Sequence, residues 1–303
     1  MDKLLYVDVV KKNLDTIIIQ KKVINTKRKL STRINQLLNK LFKSEYNTNL
    51  SKIKYQIINT KETIDDLIYS ILYIDNLIKP SNKFISNKNN IWISNQLINI
   101  LTKFNYTSDI NIVDIGGGEG NIIKYISKIY NIPNKNLYIV EQQNDWSEKY
   151  NYNNINDINY IFWDNNYINI ESNTVDIILI MVSLHHMLDT TIDNLMQNIN
   201  RILKHNGLVI IKEHNCITTD DKFIINWEHH LYHILMSKDL NEENTKQYIN
   251  HSIFNYKSME EYNNIFTKYN FNNIMNLNRS FNQSTLEDIT NSTNLYWALY
   301  RKT

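Results

Sequence analysis

The 303-residue chain holds one cysteine, one alanine (Ala298), two prolines and five glycines. A lone Cys216 cannot close an internal disulfide, which excludes a disulfide-stapled scaffold and points to a reducing, cytoplasmic setting. The start, Met1 to Asp8, lacks the apolar stretch of a secretory leader, and no apolar run is long enough for a membrane span, so no membrane role is expected. What fills the sequence is asparagine: 50 residues, alongside plentiful Ile, Lys and Tyr, as AT-rich codons would produce. Apolar residues are interleaved throughout the Asn-rich stretches, so these read as drift and not as prion-like tracts. With 42% hydrophobic and 21% charged residues, the chain is expected to be globular, and at this length about three-quarters of its unfolded surface can be buried.

Charge is unevenly spread. Residues 1 to 60 carry 13 Lys and Arg against 4 Asp and Glu, a surplus of +9; the whole chain is +2, so residues 61 to 303 carry −7. The densest basic cluster is Lys21 to Lys29, followed by a helical apolar pattern at Leu30, Ile34, Leu37, Leu38 and Leu41. Further helices are expected from Thr63 to Leu77, ended by Pro80, and from Ile91 to Phe104. Residues 1 to 105 therefore read as a basic, mainly helical N-terminal extension, and residues 106 to 303 as a second domain.

From about residue 110, short apolar runs alternate with amphipathic segments, the pattern of a parallel sheet covered on both faces. Seven strands are expected: Ile110 to Ile115, Asn136 to Glu141, Asn159 to Trp163, Val175 to Val182, Leu208 to Lys212, Asn273 to Arg279 and Leu295 to Arg301. Helices are expected at Asn121 to Tyr130, Asp145 to Tyr150, Thr191 to Leu203, Asp220 to Met236 and Ser258 to Tyr269.

Four of the five glycines fall at Gly116, Gly117, Gly118 and Gly120, between the first of these strands and a helix. A strand, a bare turn and a helix N-terminus together let a ligand approach the backbone closely. Asn121 occupies the place of the third glycine of the dinucleotide fingerprint, and no Gly-Lys-Ser/Thr follows, which disfavours NAD or FAD and excludes a P-loop.

The run Asp114-Ile-Gly116-Gly117-Gly118-Glu-Gly120 resembles the first motif of class I S-adenosylmethionine-dependent methyltransferases, and the resemblance extends over residues 110 to 303. It implies a seven-stranded, mostly parallel, doubly wound α/β sheet with a reversed last strand, and S-adenosylmethionine as cofactor. Glu141 matches the acidic residue that holds the ribose hydroxyls, with Gln142 beside it; Trp163 and Asp164 match the adenine side. Val175 to Met181 followed by Val182 and Ser183 matches the fourth-strand motif, whose loop faces the methyl group. Gly207 stands at the turn before the fifth strand.

The acceptor is less legible, because a sulfonium is already an activated leaving group and the protein mainly has to align a nucleophile with it. Motifs for base amino groups, for cytosine carbon and for the complete ribose 2′-hydroxyl tetrad are absent; Lys212 and Glu213 echo only part of the last. Catalytic candidates are His185, His186, Glu213 and His214, at the strand ends where an open α/β sheet binds ligands. The alternatives are that His185 and His186 only shape the donor pocket, and that Glu213 forms an ordinary strand-end charge pair. His229 and His233 share the i, i+4 spacing of a zinc pair, but without the His-Glu-x-x-His order they read as a helix face, and no metal is expected. Trp163, Trp227, Tyr232 and Trp297 can stack on a purine or fill a core. The basic N-terminal segment suits phosphates, and with the AT-rich bias it resembles RNA or mRNA-cap methyltransferases of large cytoplasmic DNA viruses. Three readings stay open: RNA methylation, small-molecule methylation under an N-terminal lid, and an inactive methyltransferase-like subunit. A protein partner is not readable from the sequence.

Overall fold

The computed structural model describes residues 82–142, 158–219, 221–222, 225, 229, 254–277 and 295–303, with side chains from 91 onward except that of residue 92. The expected helices from Thr63 to Leu77 and Asp145 to Tyr150, the Lys21 to Lys29 cluster and most of Asp220 to Met236 lie outside these residues. The chain divides into two compact units, and nearly all described residues belong to the one made of Ser86–Ile217, Ile253–Gln283 and Asn294–Thr303.

That unit is a seven-stranded sheet. In chain order its elements are α1 (Asn82–Lys103), β1 (Ile112–Ile115), α2 (Asn121–Tyr130), β2 (Leu137–Gln142), β3 (Asn159–Trp163), β4 (Val175–Met181), α3 (Asp189–Ile202), β5 (Leu203–His214), α4 (Met259–Lys268), β6 (Phe271–Leu277) and β7 (Leu295–Lys302). The strand order is β3-β2-β1-β4-β5-β7-β6. β1 to β5 pair in parallel, and β7 runs antiparallel to both β5 and β6. This is the doubly wound sheet with an inserted reversed last strand that the sequence implied.

Strand alternation builds two cores. Val113, Ile115, Ile178, Ile180, Val209 and Ile211 face Ile192, Leu195 and Ile199 of α3 and Tyr262 and Phe266 of α4. The intervening Ile112, Ile177, Leu179 and Ile210 face Leu97, Ile100 and Leu101 of α1 and Ile123 and Ile126 of α2. Both faces are apolar, which is why the central strands read as continuous Ile/Val/Leu runs and not as alternating patterns. β5 reaches further back than expected. Leu203 already pairs with Val175, the next pair is Ile177 with Leu208, and residues 204–207 bulge out between them. At that bulge Asn206 takes the left-handed conformation at φ 64°, while Gly207 is needed for space: a Cβ there would lie 2.9 Å from the Lys204 carbonyl oxygen.

Asparagine recurs in this role. Asn105, Asn131, Asn165, Asn173, Asn206 and Asn270 all have φ between 54° and 71°. Asn131 caps the C-terminus of α2, its N–H donating to the Ser127 carbonyl. Glycine adopts this conformation with less strain, so Asn131→Gly is expected to stabilise the protein by about 0.5 kcal/mol and Asn131→Val to destabilise it by more than about 1 kcal/mol, read as opposite shifts in Tm.

Candidate functional site

Register sets the site. Ile115 is level with Val140 on one side and with Ile180 on the other, so β1, β2 and β4 end together, and Met181 is level with Lys212 of β5. The chain leaves β1 through Gly116, whose N–H donates to the Val140 carbonyl at 2.8 Å. Gly116 has φ 72°, and a Cβ there would lie 2.8 Å from that of Ser183. A Cβ on Gly117 would meet the Asp114 carboxyl at 2.7 Å. The bare loop thus lies directly over Asp114 and against the turn after β4. Gly120 precedes α2 as its N-cap.

Asp114 is 1% exposed, and neither carboxylate oxygen has a hydrogen-bond partner among the described residues. Burial, reinforced by the nearby Glu141 carboxylate, raises its pKa to about 7. Glu141, at the end of β2, accepts a hydrogen bond from the Gly118 N–H. Burial raises its pKa too, and that bond opposes the rise.

After β4 the backbone turns sharply. Val182 has φ 58°, a left-handed conformation that a β-branched residue rarely adopts, at a cost of about 1–3 kcal/mol. Its N–H donates to the Lys212 carbonyl at 2.7 Å, and Ser183 Oγ donates to the Ile115 carbonyl at 3.3 Å. The strained turn is thereby tied to both neighbouring strands.

The turn leads into a single 3₁₀ turn, Leu184–His186, anchored by Glu213 of β5. The buried Glu213 carboxylate accepts from Leu184 N–H at 3.0 Å, His214 N–H at 2.9 Å and His185 Nδ1 at 2.6 Å. Burial is the largest influence on Glu213 and raises its pKa, while burial and the adjacent His186 hold His185 well below the usual imidazole value. His185 is therefore neutral near pH 7, with its proton on Nδ1 facing Glu213. Glu213 is not an ordinary charge pair with Lys212, whose ammonium instead lies 5.6 Å from the Trp297 ring centre.

His185 and His214 are buried, and His186 is exposed. The segment before α4 closes round them. Asn255 N–H donates to the His185 carbonyl at 2.7 Å, and Asn255 Nδ2 donates to Asp189 at 2.8 Å. Lys257 Nζ lies 2.6 Å from the same Asp189 carboxylate, which holds that acid below its usual range. Phe254 and Tyr256 face the two histidines, and no sequence pattern marked them.

The remaining candidates are dispersed. Gln142 is half-buried beside Glu141. Trp163 is fully buried in the core, whereas Asp164 is exposed and caps a local turn by accepting from the Asn166 N–H at 2.9 Å, which lowers its pKa. Trp297 is core. His229 Nδ1 lies 2.9 Å from the Ile225 carbonyl oxygen; Trp227, His230, Tyr232 and His233 lie outside the described residues. Cys216 is buried. No helix among the described residues is long and apolar enough to cross a membrane.

These residues fit S-adenosylmethionine. The loop backbone packs closely on Ser183, Asp114 and Ile139 with no side chains of its own at Gly116, Gly117 and Gly120, and Glu141 stands near the end of β2. Asp114 is a buried carboxylate, without a partner among the described residues, packed against Gly117 of that loop. A methyltransferase-domain family matches residues 54–276. Among solved structures, the chain is similar to one in the complex between the Haloferax volcanii Trm112 methyltransferase activator and a methyltransferase, with 11% identity, TM-score 0.50, and 73% of this chain and 95% of that one covered. It is also similar to a SAM-dependent methyltransferase from Aquifex aeolicus, at 15% identity and TM-score 0.44, covering 68% and 88%. A third similar structure is a geranyl diphosphate methyltransferase in complex with GPP and sinefungin, at 10% identity and TM-score 0.43, covering 65% and 74%. No curated protein sequence matches the chain. With the family matched over residues 54–276 and the seven-stranded sheet carrying its reversed last strand, the chain belongs to the methyltransferase-domain family and is a class I S-adenosylmethionine-dependent methyltransferase.

Proposed function

We propose that the acceptor is RNA, with the mRNA cap among its candidate positions, in a cytoplasmic setting, and that residues 1–60 hold its phosphates. The observation that carries this reading is charge segregation: +9 in the first 60 residues against −7 in the rest. Basic side chains that replace condensed counterions on a phosphate backbone give an affinity that falls steeply with salt.

The donor supplies a methyl group on a sulfonium, an electrophile that needs no further activation. Gly116, Gly117, Gly118 and Gly120 would take it against the loop backbone, Glu141 would accept hydrogen bonds from its ribose hydroxyls, Asp114 would balance its positive charge, and Gln142 and Asp164 would stand on the adenine side, with Trp163 in the core behind them. Val182 and Ser183 form the wall between donor and acceptor. His186, exposed at the end of the 3₁₀ turn, takes the acceptor's proton; Glu213, His185 and His214 position it.

The test is transfer of labelled methyl to capped RNA, uncapped RNA and small metabolites, with RNA binding measured in parallel. RNA affinity is expected to drop at least about tenfold between roughly 50 and 200 mM salt and to be largely lost without residues 1–60. If the full chain ignores RNA at low salt, the RNA reading fails. A small-molecule acceptor is the second reading, favoured by the burial of His185, Glu213, His214 and Tyr256.

A further inference from the structure

Among the described residues, five rings from three stretches of chain meet beside the turn after β4, with His214 edge-on to His185 at 5.1 Å and to Tyr256 at 6.1 Å. Tyr256 stacks on His185 with centroids 5.2 Å apart and planes 18° apart. Phe254 stacks on Tyr256 at 5.7 Å and 13°. His186 lies 4.1 Å from His185, and 5.7 Å from Phe254 at a tilt of 53°. Tyr256 and His185 are buried and form the inner pair; Phe254 is half-buried, His186 is exposed, and these two form the outer pair.

The cluster is held rigidly. Asn255, between the two aromatic residues, donates from its backbone to His185 and from its side chain to Asp189 and to the Met187 carbonyl at 3.0 Å. Cys216 N–H donates to the Lys257 carbonyl at 3.1 Å, and Met259 N–H donates to the Asn215 side chain at 2.8 Å, so the same segment is fastened to the chain beyond β5. A loop that merely connected elements would not need anchors on the β4 turn, on α3 and beyond β5 at once. The anchors fix where Phe254 stands relative to His186.

We propose that Phe254 and His186 are the acceptor-recognition wall, and that the acceptor they select is a planar heteroaromatic ring, as a nucleobase presents. This rests on the methyl-transfer reading above and adds the chemical class of the acceptor. An aromatic face gains stacking energy from any flat ring irrespective of base identity, whereas an aliphatic amine or a carboxylate gains little from it. The ring can arrive within RNA or as a free nucleoside; the stacking chemistry is shared.

The experiment uses the full chain and three variants. Phe254→Leu keeps the apolar volume and removes the face, Phe254→Tyr restores the face, and Phe254→Trp adds a fluorophore. The probes are a capped RNA oligonucleotide, guanosine, adenosine and an aliphatic amine. Phe254→Leu is expected to raise KM for the ring-bearing acceptor about tenfold, with kcat nearly unchanged, Phe254→Tyr to recover it, and donor affinity by calorimetry to stay at the wild-type value. In Phe254→Trp, nucleosides or RNA, and not the amine, are expected to quench the emission of the added indole, read as the difference from the wild-type chain titrated alongside. If RNA shows these effects and free nucleosides do not, the ring is recognised within RNA; the reverse assigns a free nucleoside. Either result supports the wall. Unchanged KM in Phe254→Leu overturns it, as does absence of quenching by every ring-bearing probe. Loss of donor binding in the wild-type chain would instead bring down the methyltransferase reading of the site, a failure that calorimetry separates from the first.

Discussion

Asp114→Asn is expected to abolish donor binding while making the ligand-free protein more stable at pH 8. The wild-type carboxyl is buried without a hydrogen-bond partner among the described residues, and its pKa rises to about 7 from 3.8. The fold therefore prefers the protonated form. The stability this group contributes is complete below the unfolded value and is lost as pH climbs from about 4 to about 7; the gap corresponds to on the order of 4 kcal/mol. Asparagine cannot ionise, so the variant escapes that loss, although its buried amide retains part of the polar penalty. A gain in Tm of about 5 °C at pH 8, vanishing near pH 4, is the expected thermal signature. Donor affinity should fall at least about 100-fold, because a neutral amide no longer balances a cation. In the wild type, cation binding favours the carboxylate. Below pH 7 donor binding should thus release a proton, seen as a dependence of calorimetric heat on buffer ionisation enthalpy. Wild-type donor affinity in Asp114→Asn would show that this carboxylate makes no donor contact.

Glu213→Ala should have the second-largest effect, this time on the fold. Removing the carboxylate strands the Leu184 and His214 N–H groups and the His185 ring in a buried place, at a cost of about 3–5 kcal/mol. A fall in Tm of about 10 °C is expected. Glu213→Gln is the milder change. Its amide oxygen satisfies one side of the site, but its NH₂ must face a buried N–H whichever way it lies, Leu184 on one side or His214 on the other, and on the His214 side it also imposes the other imidazole tautomer on His185. Tm should fall by about half as much as in Glu213→Ala, and turnover should drop roughly 10- to 100-fold with donor affinity unchanged. Wild-type turnover in Glu213→Gln would reduce Glu213 to a structural tie. The pH signature also differs from that of Asp114. His185 is buried neutral, so its contribution is present above the ordinary imidazole pKa and is lost as pH falls below it toward the depressed folded value.

The central sheet was legible because hydrophobic chemistry alone fixes it. β3 falls on Asn159–Trp163 and α2 on Asn121–Tyr130, as read from the sequence, since each is a bounded run with the right period. α1 begins at Asn82 and not at Ile91, because its first turns are Asn, Lys and Ser with little apolar signal. The start of β5 was hidden by its bulge. The glycine loop stood out through glycine scarcity, and position at strand ends singled out Glu213, His185, His186 and His214, which the structure brings together. Val182 gave no warning: valine favours extended backbone, and only the bonds to β1 and β5 around it hold it in a left-handed turn. Phe254 to Lys257 were equally silent. An extended stretch between helices has no periodicity, and its importance arises only when Asn255 reaches His185, 70 positions earlier.

The left-handed asparagines divide the backbone's demands into two kinds. At six described positions the chain needs an unusual dihedral angle, and asparagine, encoded by AT-rich codons, serves. At Gly117 and Gly207 it needs empty space, which no codon bias can supply with any residue that has a Cβ. Asparagine thus stands at turns whose demand is torsion, and glycine at Gly116, Gly117, Gly120 and Gly207 stands where a Cβ would collide with a neighbouring side chain or carbonyl. In a chain with so few glycines, each of these four marks a place where the backbone packs closely, and three of them share the single loop after β1.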